Sequence, residues 1–401
     1  PVAAMLLASA AMAGDVQDFR LDDITRLQQV TEARMAPDGE RVAYLLRRSR
    51  DPFAAEDGAA FTGLWLAEEP GSARGYVRGA VSVSKPRWAP DGKWIAFTAK
   101  RDDDEHEQLY RIAVDGGEAR PLARHDTAIS DYAIAPDGER LVYLATAPLN
   151  EDRERLEESG FDARVYESDQ RPVRVWMAEI GGSEPARGEA VEIKGSASQP
   201  RWSPSGDRLA LALAPTPLID DHYMRRDIVV IDIDSGTVES RIEVPGKLGS
   251  FAWAPDGERL AVIAARSRHD TSAGRLYTVS SDGGELRERL PDFSGHVEAV
   301  GWRDKKTLVY LAAEGVWSTL SSLVLDGDGQ SQPLIEPPAP ILDSMTLSAD
   351  GGQVAFTGST PEHPAEVHVY SPNAGLARWT DSYPWLQQRR LARQEPFRYQ
   401  A

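Results

Sequence analysis

The sequence predicts an all-β fold, a seven-bladed β-propeller of four-stranded antiparallel blades with a short helix before it and a linker after it. Three observations predict it. A hairpin phrase recurs along the chain, a second strand-and-turn phrase follows each copy, and the repeat length is that of one propeller blade.

The hairpin phrase reads WAPDGKWIAFT from Trp88. Proline presets φ at the first corner of a tight turn, aspartate tolerates the second, and glycine supplies the positive φ that closes it before an apolar strand. Further copies start at Met35, Ile134, Trp202 and Trp253, and two degraded copies start at Trp302 and Leu347. Successive starts lie 45 to 68 residues apart. The second phrase begins at Leu64, Leu109, Val175, Ile228, Leu276, Ser321 and Val367, each time a β-rich strand followed by a polar turn. Each unit therefore holds four strands. Two packed β-sandwiches would also give many short strands, but they do not predict seven copies of one unit.

Within the units a small residue recurs six positions after the turn begins, at Ala43, Ala96, Val142, Ala210, Ala261 and Ala355. Such a position suits close packing of one blade on the next. Trp88, Trp202, Trp253 and Trp302 open four units and read as packing between blades, not as platforms for a ligand.

The departures from the repeat carry the individuality of the chain. The longest interval contains an insertion from Pro148 to Trp176, in which NEDRERLEESG has Glu and Arg at helical spacing and ends at Gly160. This predicts one short charged helix. It reads either as a solvated flap or as a finger over the central channel that meets a ligand with Glu157, Glu158, Arg164 or Glu167. Before the first blade, Leu21, Ile24 and Leu27 fall at helical spacing. After the seventh, Trp385, Leu386, Leu391 and Phe397 have no repeat left to join. The resulting division is 1–13 the end of a signal peptide, 14–32 an N-terminal helical segment, 33–382 the propeller and 383–401 a linker. The first segment earns its assignment from a short apolar run ending in Ala11-Met12-Ala13. Without an initiator Met or basic residues ahead of that run, the chain reads as part of a longer, periplasmic or secreted protein.

Composition excludes several classes. Acidic residues number 63 against 45 basic, a net charge of −18, which argues against a nucleic-acid partner. An acidic cavity attracting cationic groups is the sharper use of that charge, and solubility the plainer one. Cysteine is absent, which removes disulfides, thiolate nucleophiles and cysteine zinc sites. No apolar run reaches the roughly 20 residues of a membrane span. There is no G-x-S-x-G elbow, P-loop, H-E-x-x-H helix or Rossmann fingerprint. LDGDGQ from Leu325 opens like a calcium loop, but the twelfth position counted from Asp326 is Pro337, where glutamate is required. No catalytic residue, metal site or cofactor is predicted in these residues.

The repeated APDGERLA phrase, the leading FRLDDITRLQQVTEARMAPDGERVAYL and the closing WTDSYPWLQQRRLARQEPFRYQA together resemble the prolyl oligopeptidase family of serine peptidases, in its acylaminoacyl-peptidase and dipeptidyl-peptidase branch. The resemblance covers residues 18 to 401 and only the N-terminal portion of that family. It implies a C-terminal α/β-hydrolase domain with a Ser-Asp-His triad as partner, short peptides as substrates, and a gating role for the propeller. None of the triad positions matches a residue here, and the hydrolase would begin where these residues stop. The alternative is a stand-alone, TolB-like propeller that binds proteins in the cell envelope.

Overall fold

Every hairpin phrase forms the two innermost strands of a blade. In this computed structural model, which describes residues 16–161, 163, 165–167, 170–327 and 329–400, seven four-stranded antiparallel sheets follow one another along the chain. The innermost strands are Gln28–Met35, Val83–Trp88, Ile129–Ile134, Ser196–Trp202, Leu248–Trp253, His296–Asp304 and Ile341–Leu347. The glycines of the turns take the left-handed conformation the phrase calls for, as at Gly39 (φ 76°) and Gly92 (φ 68°). The propeller strands run from Gln28 to Arg378, so residues 28–32, grouped with the helical segment from sequence, form the start of blade 1.

No sheet has a core of its own. The buried side chains form seven clusters, each drawn from two neighbouring blades, including one between blades 7 and 1. The recurring small residues are fully buried in these interfaces, from Ala43 to Ala355. Four consecutive strands build every blade, so the ring closes without exchanging a strand. Blade 7 meets blade 1 through the cluster of Val30, Ala33, Val42, Ala355 and Val367 and through backbone bonds such as Ala349 N–H to Pro37 O, 3.0 Å.

Strand alternation gives the ring two unlike faces. The tight turns after the inner strands lie on one, hereafter the turn face. The connections between second and third strands lie on the other, the loop face, with the links between blades. On the loop face the connections at 49–60, 100–107, 147–172, 215–226 and 265–274 are long, whereas 315–316 and 361–362 are tight turns. The insertion carries helix α2 (Glu151–Glu158), capped by the Asn150 side chain, which accepts the Arg153 N–H at 2.8 Å. Helix α1 (Leu21–Thr25) and a 3-10 turn (Pro384–Gln388) also lie on this face, because both ends of the ring emerge there. No helix among the described residues is long and apolar enough to cross a membrane.

Candidate functional site: the loop face and the axial channel

The terminal segments are tied to each other. Gln17–Asp18 pairs in parallel with Arg389–Arg390. Arg389 donates to both oxygens of Asp23, at 2.7 and 3.0 Å, and Trp385 stacks on Phe19 with ring centres 6.5 Å apart. This fork holds the Asp23 carboxyl down at about 2, the Arg389 hydrogen bond being the main cause and the Arg20 backbone N–H the next. The exit segment is anchored to blade 7 by Glu366, a fully buried carboxylate that accepts from Thr380 Oγ1, from Ser382 N–H at 2.5 Å and from Ser382 Oγ at 3.2 Å. Burial nevertheless holds its pKa above the ordinary carboxylate value.

His363 and Asp381 stand beside Glu366, with one ligand atom from each within 4.8 Å of the others. One imidazole and two carboxylates form a donor set that divalent metals accept. Here the oxygens of Glu366 are already spent on Thr380 and Ser382, and His363 leans edge-on against Tyr383. The cluster serves to hold the outgoing chain.

Apolar side chains are exposed almost entirely on this face. Leu21 is 83% exposed, Phe53 93% and Tyr166 84%, and Ile24, Phe161, Ile219 and Tyr223 are also open to solvent. All come from the long connections or from α1.

The channel is the second feature. Every inner strand breaks register with its partner at the same level, between Val30 and Glu32, Ser84 and Arg87, Ile129 and Asp131, Ser198 and Arg201, Leu248 and Phe251, Val297 and Ala299, and Asp343 and Thr346. A bulge re-aims side chains. Lys85, Gln199 and Ser344 take positive φ at these points, 53°, 54° and 59°. An exposed side chain on an innermost strand opens onto the axis, and Thr31, Lys85 and Glu298 do so.

Charge on the channel wall is uneven. Glu298 and Asp343 stand on blades 6 and 7; burial, reinforced by the charge of Asp343, raises the Glu298 carboxyl above its ordinary range, with His296 opposing. Nearer the turn face are Arg34, Arg87 and Arg201. Arg34 Nε donates to Glu32 at 2.7 Å and Arg87 to Asp131 at 2.7 Å.

The described site residues named from sequence belong to the insertion and not to the innermost strands. Glu157 pairs with Arg153 at 3.2 Å on α2, a helix with no buried residue. Glu158 ends that helix, exposed, and Glu167 is exposed with φ 61°. Arg164 lies outside the described residues, as do residues 1–13. The channel residues were missed, although VSKPRW and ASQPRW repeat one phrase in blades 2 and 4 that ends in Arg87-Trp88 and Arg201-Trp202.

No family model matches the chain. Among curated proteins, "Uncharacterized peptidase YuxL" of Bacillus subtilis is 30% identical over 228 residues, 52% of this chain and 33% of that protein. "Dipeptidyl-peptidase 5" of Porphyromonas endodontalis is 32% identical over 123 residues, 30% of this chain and 17% of its own. Among solved structures, the acylaminoacyl peptidase of Pyrococcus horikoshii superposes with a TM-score of 0.64 at 17% identity, over 92% of this chain and 55% of that one. The β-propeller domain of the Trilobed protease from Pyrococcus furiosus gives 0.61 at 16%, over 88% and 98%. The chain resembles the propeller portion of prolyl-oligopeptidase-family peptidases. At these identities the solved structures establish the fold. The matched part spans about a third of the first curated relative and about half of the solved acylaminoacyl peptidase.

Proposed function

We propose that these residues are the substrate-gating propeller of a secreted or periplasmic serine peptidase acting on short peptides. Its α/β-hydrolase domain would dock on the loop face. The exposed apolar side chains of that face carry the reading, since a domain docked there would take them out of water. The likeness to acylaminoacyl peptidase, of which the matched region is only part, supports a covering domain of hydrolase type.

The ring would exclude folded proteins by size and admit peptides. Carboxylates would pair with a free α-amino group by a charge-assisted contact. Glu157, Glu158, Arg164 and Glu167, named from the sequence of the insertion, are proposed for the substrate, as are Glu298 and Asp343 on the channel wall. The test is fluorophosphonate labelling of the protein encoded by the whole reading frame, followed by hydrolysis of one sequence presented as a short peptide and within a folded protein. Labelling with cleavage of the short peptide alone is expected. No labelling would overturn the reading in favour of a free-standing, TolB-like binding propeller, for which the mutual pairing of the two terminal segments speaks.

A further inference from the structure

We propose that Arg34, Arg87 and Arg201 form a carboxylate-binding site where the axial channel opens on the turn face. Each stands directly before the residue that opens its hairpin phrase, Met35, Trp88 and Trp202, so the repeat places the three at one level on blades 1, 2 and 4. Arg201 lies within electrostatic reach of Arg87, Asp131 and Arg34, on blades 2, 3 and 1. Blades that are not neighbours approach one another only at the axis, which puts the group on the channel.

The ion pairing is incomplete. Glu32 takes Arg34 and Asp131 takes Arg87. Among the described residues Arg201 forms no ion pair, and its guanidinium donates to Pro200 O at 2.9 Å. A guanidinium has five donors in a planar fork shaped for a carboxylate, so most of its capacity is unspent. Burial, with Arg87 and Arg34 nearby, pushes its pKa down to about 10, against the pull of Asp131. It stays charged at neutral pH, and an incoming anion would compensate its lost hydration and offset the repulsion from Arg87 and Arg34.

There is room for one. A cavity of about 390 Å³ opens here, lined by Arg87, Arg201, Trp88, Trp253, Pro200 and Pro204. Arg87 and Arg201 in its lining would fix a carboxylate, with Arg34, outside the lining, adding its charge, and the tryptophans and prolines would give an apolar flank to the adjoining side chain. Glu298 stands four residues before Trp302 and Arg201 one before Trp202. The acidic and basic walls are therefore about three residues apart along the strands, roughly 10 Å, which a short peptide spans.

Naming a peptide as the bearer of the carboxylate rests on the proposed function; the anion site does not. The experiment is titration of the 401-residue chain with dye-labelled Ala-Ala-Ala ending in a free acid, the same peptide as its amide, and Ala-Ala-Glu amide, followed by anisotropy at low and high salt. The free acid is expected to bind at least tenfold more tightly than the Ala-Ala-Ala amide and to weaken with salt. Arg201→Gln removes the preference and Arg201→Lys keeps part of it, with melting temperature recorded for both. Preference for the free acid over both amides assigns the α-carboxylate; equal binding of Ala-Ala-Glu amide assigns any carboxylate. Equal binding of all three peptides to the unmodified chain, a comparison that needs no variant, overturns the proposal. So does an Arg201→Gln protein that folds and keeps the preference. A whole protein without peptidase activity but with this preference would end the peptidase reading and leave the site standing.

Discussion

The Arg208 guanidinium lies over the ring of Trp253, 5.2 Å from its centre, and reaches on to donate to Gly257 O at 2.7 Å in the turn of the next blade. The same triple contact joins Arg41 to Trp88 and Gly92, and Arg140 to Trp202 and Gly206; Arg259 similarly meets Trp302 and Lys305 O. Each tryptophan in turn donates its indole N–H to the preceding blade, Trp253 to Arg201 O at 3.0 Å. Where the turn offers Trp94, Thr307 or Gln353 in place of the arginine, the next blade offers Ile134, Leu347 or Met35 in place of the tryptophan. The arginine of PDGER and the tryptophan of the next WAPDG are thus two halves of one clasp between blades.

Breaking that clasp should cost stability in a coupled way. Arg208→Ala and Trp253→Leu each remove the cation–π contact, so the double variant should be less destabilised than the sum by about 1 kcal/mol. Urea unfolding of the four proteins gives the cycle. Strict additivity would show that the arginine acts through its bonds to Gly257, Ser281 and Asp282 and not through the ring.

The Asp23–Arg389 fork makes the closure of the ends sensitive to acid. Asp23 is held at about 2 in the folded chain against an ordinary 3.8. A lowered carboxyl pKa contributes stability above the unfolded value and loses it as pH falls through the folded one. The terminal segments should therefore stay closed at pH 5 and loosen between about pH 4 and pH 2. Hydrogen exchange over residues 16–27 measures this. Arg389→Met should open the same amides at pH 7, while blade 4 exchanges as before.

Blade number and order were legible because most of the tight turns carry proline, aspartate and glycine at fixed places, and the strand pattern around them recurs seven times even where the turn is degraded. The helix of the insertion was legible from its charge spacing and Gly160. The bulges were not: a bulge is a slip between partner strands, and SKPRW or SQPRW reads as an ordinary strand until its pairing is known. Pro86 and Pro200 were the available signal, since proline in a sheet is confined to edges and bulges. Arg34, Arg87 and Arg201 escaped notice for a related reason. They precede the turn at a constant offset, but only the ring shows that three distant strands meet at one axis. Glu157, Glu158 and Glu167 stood out by belonging to the insertion, whereas Glu298 hides inside a regular blade.

The left-handed bulge residues should be selective about substitution. At Gln199, φ 54°, a β-branched side chain is strained and glycine is not. Gln199→Val should lose about 1–2 kcal/mol relative to Gln199→Gly. Thermal or urea unfolding decides it. Equal stabilities would mean that the bulge moves to relieve the strain.

Glu298 separates the two proposed places for a peptide amine. Its carboxyl is raised chiefly by burial and then by Asp343, so in the empty channel the protonated form persists to higher pH than in an ordinary glutamate. An ammonium group binding there favours the ionised form, and affinity for free-amine peptides should rise with pH through this raised value and then level off. If the channel wall is the contact, Glu298→Gln in the whole protein should raise KM for free-amine peptides about tenfold, flatten that pH dependence and spare N-acetylated peptides. If the insertion is the contact, Glu157→Gln, Glu158→Gln or Glu167→Gln should produce the change in KM while the Glu298 variant behaves as the parent. Equal losses on free and acetylated peptides in every variant would rule out amine pairing at both places.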